Sequence, residues 1–503
     1  MHKIINCRFV CCKWLVEAMH TDAGTGAHSG SIGVGRVQPR RGVRRIMPHP
    51  PTTRMGGFQH LYVYSMPFVA NSSANYGLAK HLEIHLPISY AGTMKVWLKL
   101  FLGSLLGLIL GFLLPTENLL FQRGMAWFGE LAILIGRYGL VPILVFSLTI
   151  AIYELRQDGQ FWKLIFSTLL VIVFSSVFVI GSGILVTLLF PPARIPILIE
   201  EQAEAVTLNT AENIIRIFPS NMFSALVSDG IYLLPVCVFA FFLGIGLSYD
   251  RNYTKPVISL VDSLSRIFYH IASFFSEILG IVMIALSAYW AIRFHNVLKA
   301  DVFRDLILLL GIFSVVLGFG VLPLFLYFLK PKTNPWQVLY GSLSQALAGF
   351  FSGDINFTMP VLFRHVKENL GSRRRSNAVT VTIFSILGRA GSAMVAAVAF
   401  IVIIKSYSSL GITTRDILII AGRVLVISFL LAGHPGDGAY TALAVLCLGY
   451  GRGFEAGYLI LKPLAFYLIA VGTFLDVMIT TYASYGISRL SGFQEDREVR
   501  HFI

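Results

Sequence analysis

Three stretches of this chain carry no charged residue: Leu164–Pro192, Ile231–Tyr249 and Leu306–Leu329. Each is at or near the roughly 20 apolar residues that a helix needs to cross a hydrocarbon core. A core helix of a soluble protein rarely runs so far without a charge. From Met94 onward such spans alternate with short charged links. The pattern predicts spans over about 97–115, 133–153, 164–190, 228–249, 261–292 and 304–329. Four segments of another kind follow, over about 336–370, 376–405, 416–450 and 456–490.

Two of those four are interrupted. Gly341–Leu370 reads GSLSQALAGFFSGDINFTMPVLFRHVKENL, and Val424–Gly449 reads VLVISFLLAGHPGDGAYTALAVLCLG. Each is a pair of apolar arms, too short to cross, around a tip rich in Gly, Pro and Asp. Backbone over Phe351–Pro360 and Gly433–Gly438 is expected to leave helical hydrogen bonding. Lipid cannot satisfy the freed groups, so the tips must be buried in protein or line a cavity. A spanning helix follows each hairpin, so the pattern occurs twice. Paired interrupted segments of this sort point to the binding site of a transporter.

Composition agrees. The chain has 503 residues, of which 55% are hydrophobic and only 13% charged, and its mean hydropathy is +0.72. Soluble domains carry roughly 25% charged residues, so lipid must be the solvent for most of this chain. Half of the formal charge of +14 comes from residues 1–93, with ten Lys/Arg against three Asp/Glu. That segment lacks periodicity and a signal-peptide layout. It is expected to be a disordered or non-native extension, with the natural start at Met94. Cys7, Cys11, Cys12, Cys237 and Cys447 show neither a pairing pattern nor metal spacing. The basic links around Lys95, Arg156, Lys163, Lys330, Lys332, Arg373–Arg375 and Arg489 all fall on one side of an even number of spans. This places both termini in the cytoplasm.

Four ionisable residues stand inside the C-terminal apolar segments: Asp354 and Asp437 at the two tips, Arg389 and Asp476 in the helices between and after them. A charge at the bilayer centre costs at least about 2.5–3.5 kcal/mol, so each needs a partner or water. Together they sum to −2, which predicts a site that wants a cation. Local ion pairing of Arg389 with one aspartate is the plainer reading of the same residues. His434 reads either as a polar tip residue or as a pH sensor. No nucleophile–base set or metal motif is present, so no enzyme is expected.

Residues Met94–Leu490 resemble the dicarboxylate/amino acid:cation symporters, the glutamate/aspartate transporter family. The resemblance rests on SLLGLILGFLLP in the first span and on RYGLVPILVFSLTIAIYEL, with Pro142, in the second. It rests further on Pro219-Ser220-Asn221, Thr358-Met359-Pro360, the second tip Ala432-Gly433-His434-Pro435-Gly436-Asp437-Gly438, and Asp476. It implies an all-α polytopic membrane protein with about eight transmembrane helices and two re-entrant hairpins, the elevator fold, assembled as a homotrimer. Residues 94–330 would hold spans one to six and the trimerisation scaffold. Residues 331–490 would form the core of the transport domain, and 491–503 a cytoplasmic tail. It also implies that Asp476 holds the ammonium of an amino-acid substrate. Both tips would contact its carboxylate through backbone N–H groups, and Asp354, Ile355, Asn356, Gly433, Pro435 and Asp437 are the substrate-binding residues expected there. Ser392 and Thr480 would line the same pocket.

The chain departs from the family where ions and substrate bind. Gly388-Arg389-Ala390-Gly391-Ser392 stands where the family has Asn-Met-Asp-Gly-Thr. Ile479, Ala483 and Ile487 stand at the family's substrate-gripping arginine, its asparagine and its ion-binding aspartate. The usual sodium ligands are thus replaced at Gly388, Ala390, Ala483 and Ile487. Arg389 is expected to stand in for a bound sodium or for the missing carboxylate clamp, since its planar fork stays charged and grips carboxylates bidentately. The expectation is a secondary active transporter for a small amino acid or dicarboxylate in the inner or plasma membrane, with no prosthetic group. Whether Na+, H+ or no cation couples is open, with Asp354 and Asp437 as candidate carriers. The alternative is a non-transporting receptor or regulatory relative of the same fold.

Overall fold

The computed structural model describes residues 94–113, 119–196, 215–227, 229–298, 301–329, 334–407, 412–451 and 453–502. The expectation for residues 1–93 lies outside them. Every regular element among the described residues is a helix, and one isolated bridge joins Ser372 and Gln494. The helices are α1 (Val96–Leu113), α2 (Leu119–Arg137), α3 (Leu140–Gln157), α4 (Phe161–Leu189), α5 (Leu234–Gly246) and α6 (Arg251–Leu298). A helix with a π-turn at Val316–Val321 follows, as α7 (Arg304–Val315) and α8 (Leu322–Leu329). Then come α9 (Pro335–Ser352), α10 (Ile355–Glu368), α11 (Arg374–Leu387), α12 (Ala390–Tyr407), α13 (Thr414–Leu430), α14 (Gly438–Tyr450) and α15 (Ala465–Leu490).

Eight helical runs among the described residues are long and apolar enough to cross a membrane. Their number matches the sequence expectation, but their membership does not. The run Thr414–Gly433, read from sequence as a hairpin arm, is one of the eight. The expected span over 228–249 yields a helix of only 13 residues, Leu234–Gly246. At 1.5 Å per residue it is ~20 Å long, short of the ~30 Å hydrocarbon core. Conversely α6 runs for 48 residues, far beyond the expected 261–292, and tolerates Pro256 in its second turn.

Burial separates the centre from the rim. In an apolar 18-residue stretch of each of the spanning runs Arg374–Tyr407 and Gly457–Leu490, 94% of the residues are buried, against 33% in such a stretch of α1 and of α4. A helix apolar on every side belongs inside, and α12 and α15 pack against each other there. The rim helices turn Leu105, Leu106, Phe166, Leu170 and Phe174 outward, as a surface solvated by lipid requires. Lipid tails are as apolar as leucine, so helix contacts here rest on close van der Waals fit. On α1, Gly103, Gly107 and Gly111 form a small-residue stripe against α6. A Cβ at Gly107 would sit 2.0 Å from Ser287 Oγ and 2.2 Å from the Ile284 carbonyl.

Hairpin 1 is α9 and α10. Asn334 caps α9 by accepting the Trp336 N–H at 3.1 Å, and Pro335 takes the first helical position. The turn between the arms is only Gly353 and Asp354, with Gly353 at φ 64° in the left-handed region that favours glycine. The irregular stretch is therefore narrower than Phe351–Pro360, because α10 absorbs Pro360 within its helix. Hairpin 2 is α13 and α14, joined by a 3-10 turn Leu431–Gly433 and by His434–Asp437. The expected single helix over 376–405 is instead broken at Gly388–Arg389 into α11 and α12.

The C-terminal residues are packed against hairpin 1 rather than free of the bundle. Arg373 N–H donates to the Phe493 carbonyl at 2.9 Å, and Glu495 N–H to the Gly371 carbonyl at 2.9 Å. Phe493 and Phe502 are buried, with Phe502 stacked on Tyr340.

Candidate functional site

The helix breaks create the site. Every helix N-terminus leaves its first N–H groups without intrahelical partners and carries a partial positive charge. At α10 those donors are satisfied by Asp354, whose Oδ1 accepts the N–H of Asn356 at 2.8 Å and of Phe357 at 3.1 Å. At α12 they are satisfied from another helix. Asp476 of α15 reaches across, and its Oδ1 accepts the N–H of Gly391 at 2.7 Å and of Ser392 at 3.1 Å. No side chain larger than glycine fits at position 391, where a Cβ would lie 2.5 Å from the Leu475 side chain.

Each capping carboxylate also holds an arginine. Arg389 Nε donates to Asp476 Oδ2 at 2.8 Å, with the two side chains 1% and 0% exposed. Ser392 Oγ adds a bond to the same oxygen at 2.6 Å. Arg137, at the end of α2, donates to Asp354 Oδ2, and Asp354 is 1% exposed. The two units have the same chemistry: a buried carboxylate, two backbone donors of a half-helix and one guanidinium.

The tips meet over these units. Ile355 N–H of tip 1 donates to the Pro435 carbonyl of tip 2 at 3.2 Å. Gly436 lies against Asp354, and Gly438 against Arg389; a Cβ at Gly438 would be 2.6 Å from Arg389 Nη2. Arg389 reaches tip 2 with its outer nitrogens through long contacts, Nη1 to the His434 carbonyl at 3.4 Å and Nη2 to the Pro435 carbonyl at 3.5 Å, and Nη2 also reaches Ser392 Oγ at 3.3 Å. Thr473 Oγ1 of α15 donates to the Gly353 carbonyl at 3.0 Å and pins tip 1 from below.

Of the residues expected at the site, Asp354, Ile355, Arg389, Ser392, Pro435 and Asp476 thus form one connected cluster. The others turn elsewhere. Asn356 is buried but gives its side-chain N–H groups to the carbonyls of Gly230 and Ile231 at 3.0 Å each. Gly433 faces Tyr232. Asp437 is exposed and pairs within its own hairpin, with His434 Nδ1 at 3.3 Å and Thr441 Oγ1 at 2.8 Å. Thr480 donates to the Asp476 carbonyl of its own helix at 2.7 Å.

The expected charge of −2 needs correction, because Arg137 joins the cluster. Three carboxylates against two guanidinium groups leave −1, and that remaining charge is Asp437, beside His434. The two buried units are each neutral. Arg137 escaped sequence reasoning although the signal was present: it stood inside the expected span 133–153 and was not counted among the charges there.

At the positions where the resemblance puts the family's sodium ligands, Gly388 and Ala390 flank Arg389. Ala483 and Ile487 share with Ile479 an apolar cleft against Phe174, Phe178 and Phe325. Among the described residues no group of three His, Cys, Asp or Glu side chains gathers that could hold a metal ion.

Comparison with known proteins fits this architecture. The sequence profile described as the sodium:dicarboxylate symporter family matches residues 96–490. Excitatory amino acid transporter 1 of Rattus norvegicus is 29% identical over 175 residues, which is 35% of this chain and 30% of that protein. Excitatory amino acid transporter 3 of Bos taurus is 28% identical over 224 residues, 44% of this chain and 41% of that protein. The proton/sodium-glutamate symport protein of Bacillus subtilis (strain 168) is 20% identical over 340 residues, 58% of this chain and 79% of that protein. The alignments span less than half the length of the two excitatory amino acid transporters. With the profile covering the whole bundle from α1 to α15, the chain belongs to the sodium:dicarboxylate symporter family.

Proposed function

We propose that this protein is a secondary active transporter that carries a small carboxylate-bearing solute, an amino acid or a dicarboxylate, across the inner or plasma membrane. Its termini face the cytoplasm, and it works as a homotrimer in which hairpin 2 gates the pocket beneath the tips. The observation that carries this reading is the meeting of two half-helix tips, Ile355 N–H to the Pro435 carbonyl at 3.2 Å, over the buried Arg389–Asp476 pair. Such non-helical backbone inside a membrane protein belongs to cavities that open and close around a solute. Lifting hairpin 2 breaks the Ile355–Pro435 bond and the long contacts from Arg389 to His434 and Pro435. Relatives named as glutamate and excitatory amino acid transporters support the solute class.

Coupling is independent of sodium in this reading. Arg389 places a permanent positive charge beside Asp476, which a coupling cation would otherwise supply. The test is uptake of labelled succinate and L-aspartate into proteoliposomes, with Na+ or with a bulky organic cation outside. Uptake of at least one solute in both media is expected. Collapse without Na+ would refute the sodium-independent coupling, and no flux in either medium would refute transport.

A further inference from the structure

Beneath the tips lie a seat for a cation, the Asp476 carboxylate, and a seat for an anion, the N-terminus of α10. In broken-helix transporters a half-helix N-terminus addresses the anionic group of the solute, and a buried carboxylate calls for a cation. Together the two seats would match an α-amino acid, which carries both charges.

Both seats are taken by the chain itself. Asp476 accepts four hydrogen bonds, from Arg389 Nε, Ser392 Oγ and the N–H groups of Gly391 and Ser392. Two per oxygen exhausts the usual capacity of a carboxylate, so an ammonium ion can reach Asp476 only by displacing one of these donors, and it meets the like charge of Arg389 there. At the other seat, the Asp354 carboxylate holds the Asn356 and Phe357 N–H groups and is itself neutralised by Arg137. A solute carboxylate would have to displace it from both N–H groups and from Arg137.

We infer that Arg389 and Asp354 are specificity residues acting as a built-in ligand, one filling the ammonium seat and the other the carboxylate seat, so that the hairpins close with no amino acid bound. The inference rests on the reading of this pocket as the solute pocket and narrows the solute. A free α-amino acid is excluded, because its ammonium meets Arg389. An anion without an amino group is admitted when hairpin 2 lifts, since Nη1 and Nη2 then lose their contacts to tip 2, while Nε stays on Asp476 and Nη2 keeps its long contact to Ser392 Oγ at 3.3 Å. The Nη1 and Nη2 edge is the fork that binds a carboxylate bidentately.

The experiment is ligand binding by thermal shift on the purified full-length protein at neutral pH, with L-aspartate, L-alanine and succinate. Succinate shares the two carboxylates of aspartate and lacks only the ammonium. For the wild type, succinate is expected to bind at least about tenfold more tightly than aspartate, a difference of about 1.4 kcal/mol, and alanine to give no shift. Arg389→Ala, purified with alanine present and then dialysed, is expected to reverse the order, because the freed Asp476 accepts an ammonium. Wild-type protein that binds aspartate as tightly as succinate would overturn the inference, whether or not the variant folds. A folded Arg389→Ala that gains no affinity for aspartate or alanine would also overturn it. Binding is read without flux, so a protein that shows this order yet moves nothing across a liposome refutes only the transport reading. Aspartate uptake by the wild type refutes only the inference.

Discussion

Arg389 and Asp476 face each other from two different helices, Nε to Oδ2 at 2.8 Å, in the most enclosed part of the bundle. Asp476 at the same time caps α12 through Gly391 and Ser392. Breaking a buried pair by removing one partner leaves an uncompensated charge and costs about 3–5 kcal/mol. Asp476→Leu and Arg389→Met should therefore each lower the thermal midpoint in detergent markedly. The double variant should lie nearer the wild type than the sum of the single changes, with a coupling of about 2 kcal/mol or more. A double-mutant cycle followed by tryptophan fluorescence measures this, and strict additivity would contradict it.

Asp354 performs two tasks that substitution can separate. Asn caps a helix about as well as Asp, whereas Ala does not and costs about 1 kcal/mol. Asp354→Asn should lose only the pairing with Arg137, and Asp354→Ala should lose the cap as well. The thermal midpoints should fall in the order wild type, Asn, Ala. Equal midpoints for Asn and Ala would remove the capping role.

Gly438 controls how closely tip 2 approaches Arg389. A Cβ there would stand 2.6 Å from Nη2, whereas nothing lies within 4 Å of a Cβ at Gly422 on the other arm of the hairpin. Gly438→Ala should hold the gate ajar and lower the uptake rate at least about tenfold, about 1.4 kcal/mol in barrier height. Gly422→Ala should leave the rate close to wild type, so equal rates for the two variants would argue against the gate.

The α1–α6 seam makes a prediction independent of function. Gly107→Ala drives a methyl group into Ser287 and the Ile284 carbonyl, and such overpacking costs about 1–3 kcal/mol. Gly124→Ala on α2 meets nothing within 4 Å and should be neutral or stabilising by up to about 1 kcal/mol, from helix propensity alone. Thermal midpoints of the two variants decide between them.

The resemblance puts Ile479 where the family has its substrate-gripping arginine, but the Ile479 side chain lies in the apolar cleft with Phe174, Phe178 and Phe325. Ile479→Arg should therefore place a charge among aromatic rings, at a cost of at least about 2.5–3.5 kcal/mol. Lower expression and no rise in aspartate uptake are expected. A gain of aspartate uptake would show that the arginine reaches the pocket.

The sequence by itself determined the number of spanning runs, the two interrupted hairpins and the four charges of the C-terminal segments. Hydrophobic length and the position of Gly, Pro and Asp follow from local solvation and local backbone geometry, so they can be read without knowing any partner. It did not determine how the charges pair, and Arg137 shows why. Arg137 and Asp354 are 217 residues apart in the chain, and Arg389 and Asp476 are 87 apart. Whether a buried carboxylate awaits a cation or already holds one depends on which half-helix and which guanidinium come to rest against it. Only the packing of α2, α12 and α15 around the two tips settles that, because a charge is neutralised by what lies within a few ångströms and not by what lies nearby in sequence.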